Sequence, residues 1–440
     1  MKRISRTKLL ALLTVSVFAS SVMAEGKAEA PVLKINGFTS MAGYGVSQQR
    51  KDNGAGGTDP QINIGASDLY FTVTGKAANG MEYKYRVNFE TIPGSSFYVN
   101  KNYVELSGDF GTTQFGQVAG PDDVMPMSGA NLIGGANGID GTLNSAYNYS
   151  AGVIKGVNFI GETKKAAKIV FYSPEVMGFQ LGVAYTPNTS HMGDAGKNNA
   201  YAGSNPKVGN SSGIYPNTKK TGPYGLRNVT VGLTYKGFHE KWSYELAAVG
   251  VVEKSVYSDF NNFKDQRRVP LNNAKSYQLS ACVGYDKLKV AAGWIDNGKS
   301  RLPKDNSLSF NGSASQDTFA QGDVGQLYLG NTYLGNSGTA WNVGTSYTVG
   351  AYQFATAYHR TDRKTDAVSG ANSDIVAASV DLSVLQGLKF FGEVDFVRTR
   401  TNQNAIAVQQ AYMNNQEGKG NKAIGNNSGA VFILGTSVSF

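Results

Sequence analysis

Between Met81 and Glu90 the chain alternates without a break. Met81, Tyr83, Tyr85, Val87 and Phe89 are apolar or aromatic, and Glu82, Lys84, Arg86, Asn88 and Glu90 between them are charged or polar. Successive side chains of a strand point to opposite faces, so this segment is predicted to be a strand with one apolar and one polar face. Comparable segments recur at 33–46, 66–75, 81–91, 98–108, 111–119, 166–173, 178–187, 226–236, 240–252, 274–286, 287–297, 339–349, 351–361, 372–385, 387–399 and 428–440. That makes about sixteen strands, most of them near the ~9–11 residues that a tilted strand needs to cross the hydrocarbon of a bilayer.

Alternation alone does not separate a membrane barrel from a soluble sandwich, but the connections do. With the N-terminus on the inner side, alternate links are short: Lys76–Gly80, Gly108–Gly111, Ser173–Gly178, Gly237–Glu240, Asp286-Lys287, Gly350 and Gln386-Gly387. The links between them are mostly long and polar, at 120–165, 188–225, 253–273, 298–338 and 400–427. Short turns at one rim and long loops at the other are the pattern of a bacterial outer-membrane barrel. The predicted fold is therefore all-β, a transmembrane antiparallel β-barrel of about 16 strands with short periplasmic turns and long external loops. Aromatic residues gather toward the ends of the outward faces, as in interface girdles: Tyr235, Trp242, Tyr244, Tyr277, Tyr285, Trp294, Trp341, Tyr347, Tyr352 and Tyr358. The last strand sets Ala430, Phe432, Leu434, Thr436, Val438 and Phe440 on one face and ends on an aromatic. Such an ending is similar to the C-terminal signal that the outer-membrane assembly machinery reads.

The first two dozen residues supply the route. Lys2, Arg3, Arg6 and Lys8 precede an apolar run from Leu9 to Phe18, and Val22-Met23-Ala24 carries small residues where a signal peptidase needs them. Residues 1–24 are expected to be a signal peptide cleaved after Ala24, leaving 25–440 as a single barrel domain. The apolar run is too short to span a bilayer itself. Loss of the four basic residues leaves 37 Lys and Arg against 32 Asp and Glu, a net charge near +5.

Composition excludes most other chemistry. The single cysteine, Cys282, rules out an internal disulfide framework, and His191, His239 and His359 are too scattered for a metal site. The Gly-x-Ser-x-Gly string at Gly209–Gly213 sits in a long polar link rather than the strand–turn–helix setting of a nucleophile elbow, and Gly54, Gly56 and Gly57 lack the strand–loop–helix context of a phosphate site. No enzyme activity and no cofactor are expected. A basic stripe interleaved with stacking aromatics is absent and the chain is exported, so nucleic acid is not a partner.

Three stretches carry a family resemblance. Gly65–Glu90 resembles the second and third strands of the general bacterial porins, the trimeric sixteen-stranded outer-membrane kind, with their Gly-containing turn. Lys101–Gln117 (KNYVELSGDFGTTQFGQ) is similar to their strand–turn–strand before the constriction loop, and Phe171–Tyr185 (FYSPEVMGFQLGVAY) to their Ser-Pro turn and following strand. The resemblance implies a homotrimer whose subunits each form a water-filled channel for passive diffusion of small hydrophilic solutes and ions. It also implies that a loop within about 120–165 folds into the barrel and narrows it. The first part of that loop, Pro121–Asn144, carries Asp122, Asp123 and Asp140 and no Lys or Arg. Facing bases would be Lys84 and Arg86, with Lys101 nearby, and Glu82, Glu90 and Glu105 share that lumen face. Acids on a loop opposite bases on a wall would set a transverse field across the pore. Family members often carry Arg where this chain has Asp68, Lys101 and Gln117. Acids at the narrowing favour cations while the net charge favours anions, so the sign of selectivity stays open.

Two alternatives share the fold: a solute-specific channel, and a structural or adhesive barrel acting through its external loops. The partners expected are outer-membrane lipid and lipopolysaccharide. Basic pairs in outer loops, such as Lys219-Lys220 and Arg267-Arg268, are candidates for the lipopolysaccharide phosphates.

Overall fold

The computed structural model describes residues 28–49, 60–91, 98–136, 138–150, 153–154, 160, 166–189, 223–257, 272–300, 338–363, 370–403, 406 and 425–440. The expected signal peptide and the loop pairs Lys219-Lys220 and Arg267-Arg268 lie outside the described residues. Sixteen strands follow one another: β1 (Glu29–Gln48), β2 (Gln61–Lys76), β3 (Glu82–Thr91), β4 (Tyr98–Gly108), β5 (Gly111–Gln117), β6 (Ala167–Tyr172), β7 (Phe179–Asn188) and β8 (Pro223–His239). The second half runs β9 (Trp242–Tyr257), β10 (Ala274–Tyr285), β11 (Leu288–Gly298), β12 (Gly338–Val349), β13 (Tyr352–Asp362), β14 (Asn372–Leu385), β15 (Leu388–Arg400) and β16 (Asn427–Ser439). Each pairs antiparallel with its neighbours in sequence, and β16 closes on β1 to complete the barrel. No described helix is long and apolar enough to cross a membrane.

All sixteen predicted segments are strands, with β4 and β14 at their predicted bounds. Several run further. β1 reaches Gln48, β8 begins at Pro223 and β9 continues to Tyr257. The additional residues lie mostly at the extracellular rim. There both faces meet water or headgroups, so the apolar/polar alternation fades while the backbone ladder continues.

Periplasmic reversals are tight because few residues are left to make them. Met177 and Gly178 both take left-handed φ, 53° and 85°, as a two-residue turn matching the strand twist requires. At Gly178 a side chain would also collide with the Lys236 carbonyl. The seam is fastened at its lower end by the last residue: Gly37 N–H donates to the Phe440 carbonyl at 3.0 Å and Phe440 N–H to the Gly37 carbonyl at 3.1 Å.

Outward faces are apolar with aromatic bands. Trp242, Tyr244, Tyr285, Tyr347 and Tyr352 lie toward the periplasmic ends of their strands, and Tyr277, Trp294, Trp341 and Tyr358 toward the extracellular ends. Trp242 packs on Tyr285 with ring centroids 4.8 Å apart, and Trp341 on Tyr358 at 5.0 Å. The predicted girdles are thus two bands around one side of the barrel.

Inward faces are of two kinds. On β2–β5 they are polar, as the alternation predicts. On β13–β16 they include Ile375, Ala377, Phe391, Val397, Val431 and Ile433, all buried. These pack against Ile139, Leu143, Tyr147 and Tyr149 from the segment between β5 and β6, forming an apolar core inside the lumen. A loop lying on the wall is what makes apolar residues tolerable there.

Candidate functional site

The segment after β5 follows the inner wall most of the way round the barrel. Its root is held by Lys168 on β6, whose Nζ donates to the Val118 carbonyl at 2.6 Å. A one-turn helix, α1 (Pro121–Val124), then lies against β7–β9. Close approach is possible because Gly182 and Gly232 face inward: a Cβ at Gly182 would come 2.6 Å from the Met125 sulfur.

Further on, Met127 N–H donates to Ser280 Oγ on β10 at 3.0 Å. A 3-10 turn, Gly129–Leu132, rests on β11–β13, with Ala130 N–H donating to Asn342 Oδ1 at 3.1 Å. The tip reaches β14 and β15, where Gly134 N–H donates to Ser379 Oγ and Ala136 N–H to Glu393 Oε2, each at 3.2 Å. After a second 3-10 turn (Gly138–Asp140) and a second short helix, α2 (Leu143–Ala146), the chain bridges the barrel seam. Asn148 N–H donates to Gln48 Oε1 on β1 at 3.2 Å, and Asn427 Nδ2 on β16 donates to the Asn148 carbonyl at 2.8 Å. It then doubles back. Thr361 Oγ1 donates to the Ile154 carbonyl at 2.9 Å, and Ile160 N–H to Gln278 Oε1 at 3.0 Å. Burial among these side chains pushes the Tyr147 hydroxyl pKa well above its ordinary range.

The predicted site residues of the wall lie on β3 and β4, beside the inward face of β2. Lys84 Nζ and Glu105 Oε1 form an ion pair at 2.6 Å, and Gln114 Nε2 donates to Glu105 Oε2 at 2.6 Å. The Arg86 guanidinium lies 4.4 Å above the Tyr70 ring. Tyr70 donates its hydroxyl to Asp68 Oδ2 at 3.0 Å, and Asn88 Nδ2 donates to Asp68 Oδ1 at 3.2 Å. Lys101 stands opposite Asn88 in register, half-buried on the same face. Glu82 is near the lower rim, 3.9 Å from Lys76, and Glu90 is nearly buried at the upper end of β3.

The loop acids depart from expectation. Asp122 is fully buried, because it follows Pro121 where α1 presses onto β7–β9. It is therefore corrected from a pore-lining residue to one packed between loop and wall near Lys168, whose charge it helps to balance. Asp123 is half-buried beside it. Asp140 ends the second 3-10 turn, and its side chain lies outside the described set. Signs are therefore not separated cleanly across the lumen: Asp68, Glu90 and Glu105 alternate with Lys84, Arg86 and Lys101 on one wall.

The sequence reading missed the polar anchors Ser280, Asn342, Ser379, Gln48 and Asn427 and the anchoring role of the lumen acid Glu393, along with the lumen tyrosine Tyr70. Gln48 and Asn427 had a signal, since each sits on the inward face of a strand whose other inward residues near it are apolar or small. Cys282 faces inward and is buried, and His359 is buried on the inner face of β13. Among the described residues no cluster of His, Cys, Asp or Glu could hold a metal.

A family model described as Gram-negative porin matches residues 10–402. Among curated proteins, an uncharacterised protein of Rickettsia prowazekii (strain Madrid E) is 23% identical over 295 residues, covering 57% of this chain and 66% of that protein. An uncharacterised protein of Rickettsia typhi (strain ATCC VR-144 / Wilmington) is 25% identical over 215 residues, covering 43% and 48%. The chain thus spans less than two thirds of the length of the curated relatives it matches. Among solved structures, the in-vitro folded outer membrane protein OmpT of Vibrio cholerae, in its trimer form, superposes with a TM-score of 0.52 at 10% identity, covering 94% of this chain and all of that one. An anion-selective porin from Comamonas acidovorans gives 0.52 at 13% identity over 93% of this chain and all of its own. At these identities the likeness is one of fold.

Proposed function

The chain belongs to the Gram-negative porin family, and from that premise we propose that it is a passive diffusion channel of the outer membrane for small hydrophilic solutes and ions. Family and fold point to a channel rather than an enzyme. One observation carries the reading: among the described residues, the internal loop packs and hydrogen-bonds along β6–β16 and at Gln48 on β1, away from the charged side chains of β2–β4. A loop so placed narrows a lumen without filling it, and the charged wall is the surface a solute slides along. The residues bordering the narrowing are Lys84, Arg86, Lys101, Glu105 and Glu90 on the wall, with Asp123 at the loop root. Because both signs share one wall and Lys84 is already paired with Glu105, selectivity between small ions is weak.

The outer wall supports a trimer. Outward positions on β16, β1 and β4–β5 intersperse small or neutral polar residues (Gly43, Gly45, Ser47, Asn102, Thr113, Ser428 and Ala430) with the exposed apolar Met41, Val104, Phe432 and Leu434. Both aromatic bands lie away from these strands, on β9–β13. Polar, small-residue surface at membrane depth suits contact with protein better than lipid, so β16–β1–β5 is the subunit face. A second reading, a solute-specific channel, draws on Arg86 stacked over Tyr70, a preformed platform for an anionic or aromatic group.

The test is single-channel conductance of the refolded protein in a planar bilayer, followed by reversal potential in a salt gradient. Steps arriving in threes with a small reversal potential support the reading. A folded barrel that passes no current refutes it, and saturable block by one solute class would favour the second reading.

A further inference from the structure

The charges on the inner wall of β2–β4 are unequally engaged. Lys84 is held by Glu105 at 2.6 Å, and Gln114 donates to the second oxygen of that carboxylate. Asp68 accepts from the Tyr70 hydroxyl on one oxygen at 3.0 Å and from Asn88 Nδ2 on the other at 3.2 Å. Arg86 and Lys101 differ from these, because neither forms an ion pair among the described residues. The Arg86 guanidinium lies 4.4 Å above the Tyr70 ring, and its Nε is buried without a hydrogen-bond partner among the described residues. The hydroxyl bond to Asp68 fixes that ring by its far end, so the stack exists before any solute arrives.

Register gathers these groups into one patch. Tyr70 stands opposite Asn88 and Asn88 opposite Lys101, while Arg86 stands between Thr72 and Tyr103. Arg86 and Lys101 are therefore diagonal neighbours on adjacent strands, about 7–8 Å apart at the backbone. Two bases so close call for an anion between them. The ring behind Arg86 narrows the choice further. A planar guanidinium resting on an aromatic ring has a second face for stacking and an edge of N–H donors, and Arg86 is only half-buried. A small inorganic anion uses the edge and leaves the face idle. A neutral aromatic ring uses the face and leaves the donors unpaired, which is costly once water is displaced. A carboxylate carried on an aromatic ring uses both.

We propose that Tyr70, Arg86 and Lys101 form a binding site in the lumen for small aromatic carboxylates. The carboxylate is held by Lys101 and the Arg86 edge, and the ring stacks on the guanidinium that Tyr70 supports. The inference deepens the solute-specific reading above and rests on it, since it names the solute class that the wall takes. Neighbouring acids do not oppose it: Glu105 is neutralised by Lys84, and both oxygens of Asp68 already accept hydrogen bonds. Recognition here is by shape together with charge, so it coexists with weak selectivity between small ions.

The experiment titrates the refolded full chain, in neutral detergent, with benzoate and in parallel with acetate and benzamide. Binding is read by saturation-transfer NMR, which detects weak ligands and needs no current. Benzoate is expected to bind about fivefold more tightly than acetate, the worth of an aromatic ring on a guanidinium. Benzamide, which has the ring without the charge, should bind about tenfold more weakly than benzoate. R86Q removes both the charge and the stack and should weaken benzoate about tenfold or more. If that variant does not fold, R86K keeps the charge without the planar face: acetate should bind as to wild type, and the preference for benzoate should vanish. Equal affinity for benzoate and acetate in the wild type overturns the proposal, as does a benzoate preference that survives in R86K. Planar-bilayer recordings on the same preparations separate this site from the channel itself. Benzoate binding by a silent barrel counts against conduction and leaves the site standing, whereas ohmic current without benzoate preference removes the site and leaves the channel.

Discussion

The internal loop defines the aperture only if it is held flush against the wall, and Gly293 is where that can be broken most cleanly. Gly293 faces inward on β11, and a Cβ there would come 2.6 Å from Ser128 Cβ. Carbon atoms settle ~3.5–4.0 Å apart, so in Gly293→Val the loop must retreat by roughly 1 Å. The 3-10 turn moves as a unit, because Ser128 N–H donates to Asn131 Oδ1 at 2.8 Å and Asn131 N–H to the Ser128 carbonyl at 3.1 Å. Its two wall anchors on β10 and β12 are 3.0 and 3.1 Å long, and such a shift takes both beyond hydrogen-bonding range. The loss is about 0.5–1.5 kcal/mol for each bond, plus about 1–3 kcal/mol of overpacking. The sixteen-strand ladder is untouched, so the barrel folds and the loop alone yields, into the lumen. Single-channel conductance should fall and current noise rise, with the electrophoretic shift of the folded barrel retained. Gly250→Val is the matched control: it adds the same bulk on the outward face, where Cβ comes only 3.8 Å from the Tyr277 ring. If Gly293→Val and the control both conduct like wild type, the loop does not bound the aperture and the reasoning fails.

Other perturbations test other parts of the site. Lys84→Met leaves Glu105 without its ion pair and should shift the reversal potential toward cations, while Glu105→Gln shifts it toward anions. Both shifts should be larger at 0.1 M than at 1 M salt, where screening contracts from ~10 to ~3 Å, and shifts of equal sign would contradict the assignment. Lys168→Met removes the charged donor to the Val118 carbonyl at the loop root, a loss of about 1.5–3 kcal/mol. Hydrogen exchange at Val118–Met125 should rise well above wild type, and unchanged protection would show that the loop root is anchored elsewhere. Deleting Phe440 removes both backbone bonds to Gly37 and the ring that lies over it, so the folded fraction after assembly should drop. Gly37→Val, which displaces that ring, should lower the folded fraction in the same way.

The strands were legible because a barrel wall between lipid and water imposes a period of two on every crossing, and the loop-length asymmetry turned that pattern into a topology. The role of an individual loop acid was not. Nothing in Pro121-Asp122-Asp123-Val124 tells which carboxylate faces water. The answer depends on α1 seating against Gly182 and Gly232, residues far along the chain. Lys168 was equally silent: it looks like a routine inward lysine, and only the position of the Val118 carbonyl makes it an anchor. Tyr70 was read simply as part of the second strand, although its inward orientation follows from its neighbours Leu69 and Phe71 facing lipid.

The breakdown of alternation is itself informative. From Glu82 to Glu90 every inward residue is polar, and this is the charged wall. In Val431-Phe432-Ile433-Leu434 both faces are apolar, and Val431 and Ile433 are buried under the loop tip with Phe391, Ile139 and Leu143. The same holds for Val249 and Val251 on β9, which pack with Met125 and Ile160. An inward apolar residue in a water-filled barrel would expose its surface to the lumen unless something covered it, so doubly apolar stretches mark where the internal loop must lie. Strictly alternating stretches mark the channel. On that rule β9 and β16 are covered and the open arc is centred on β3, and the loop's hydrogen bonds to β10 and β12–β16 fall in the covered half. Selectivity is therefore written on the strands that keep the cleanest alternation, and changes of charge on β2–β4 should alter permeation more than equal changes on β13–β15.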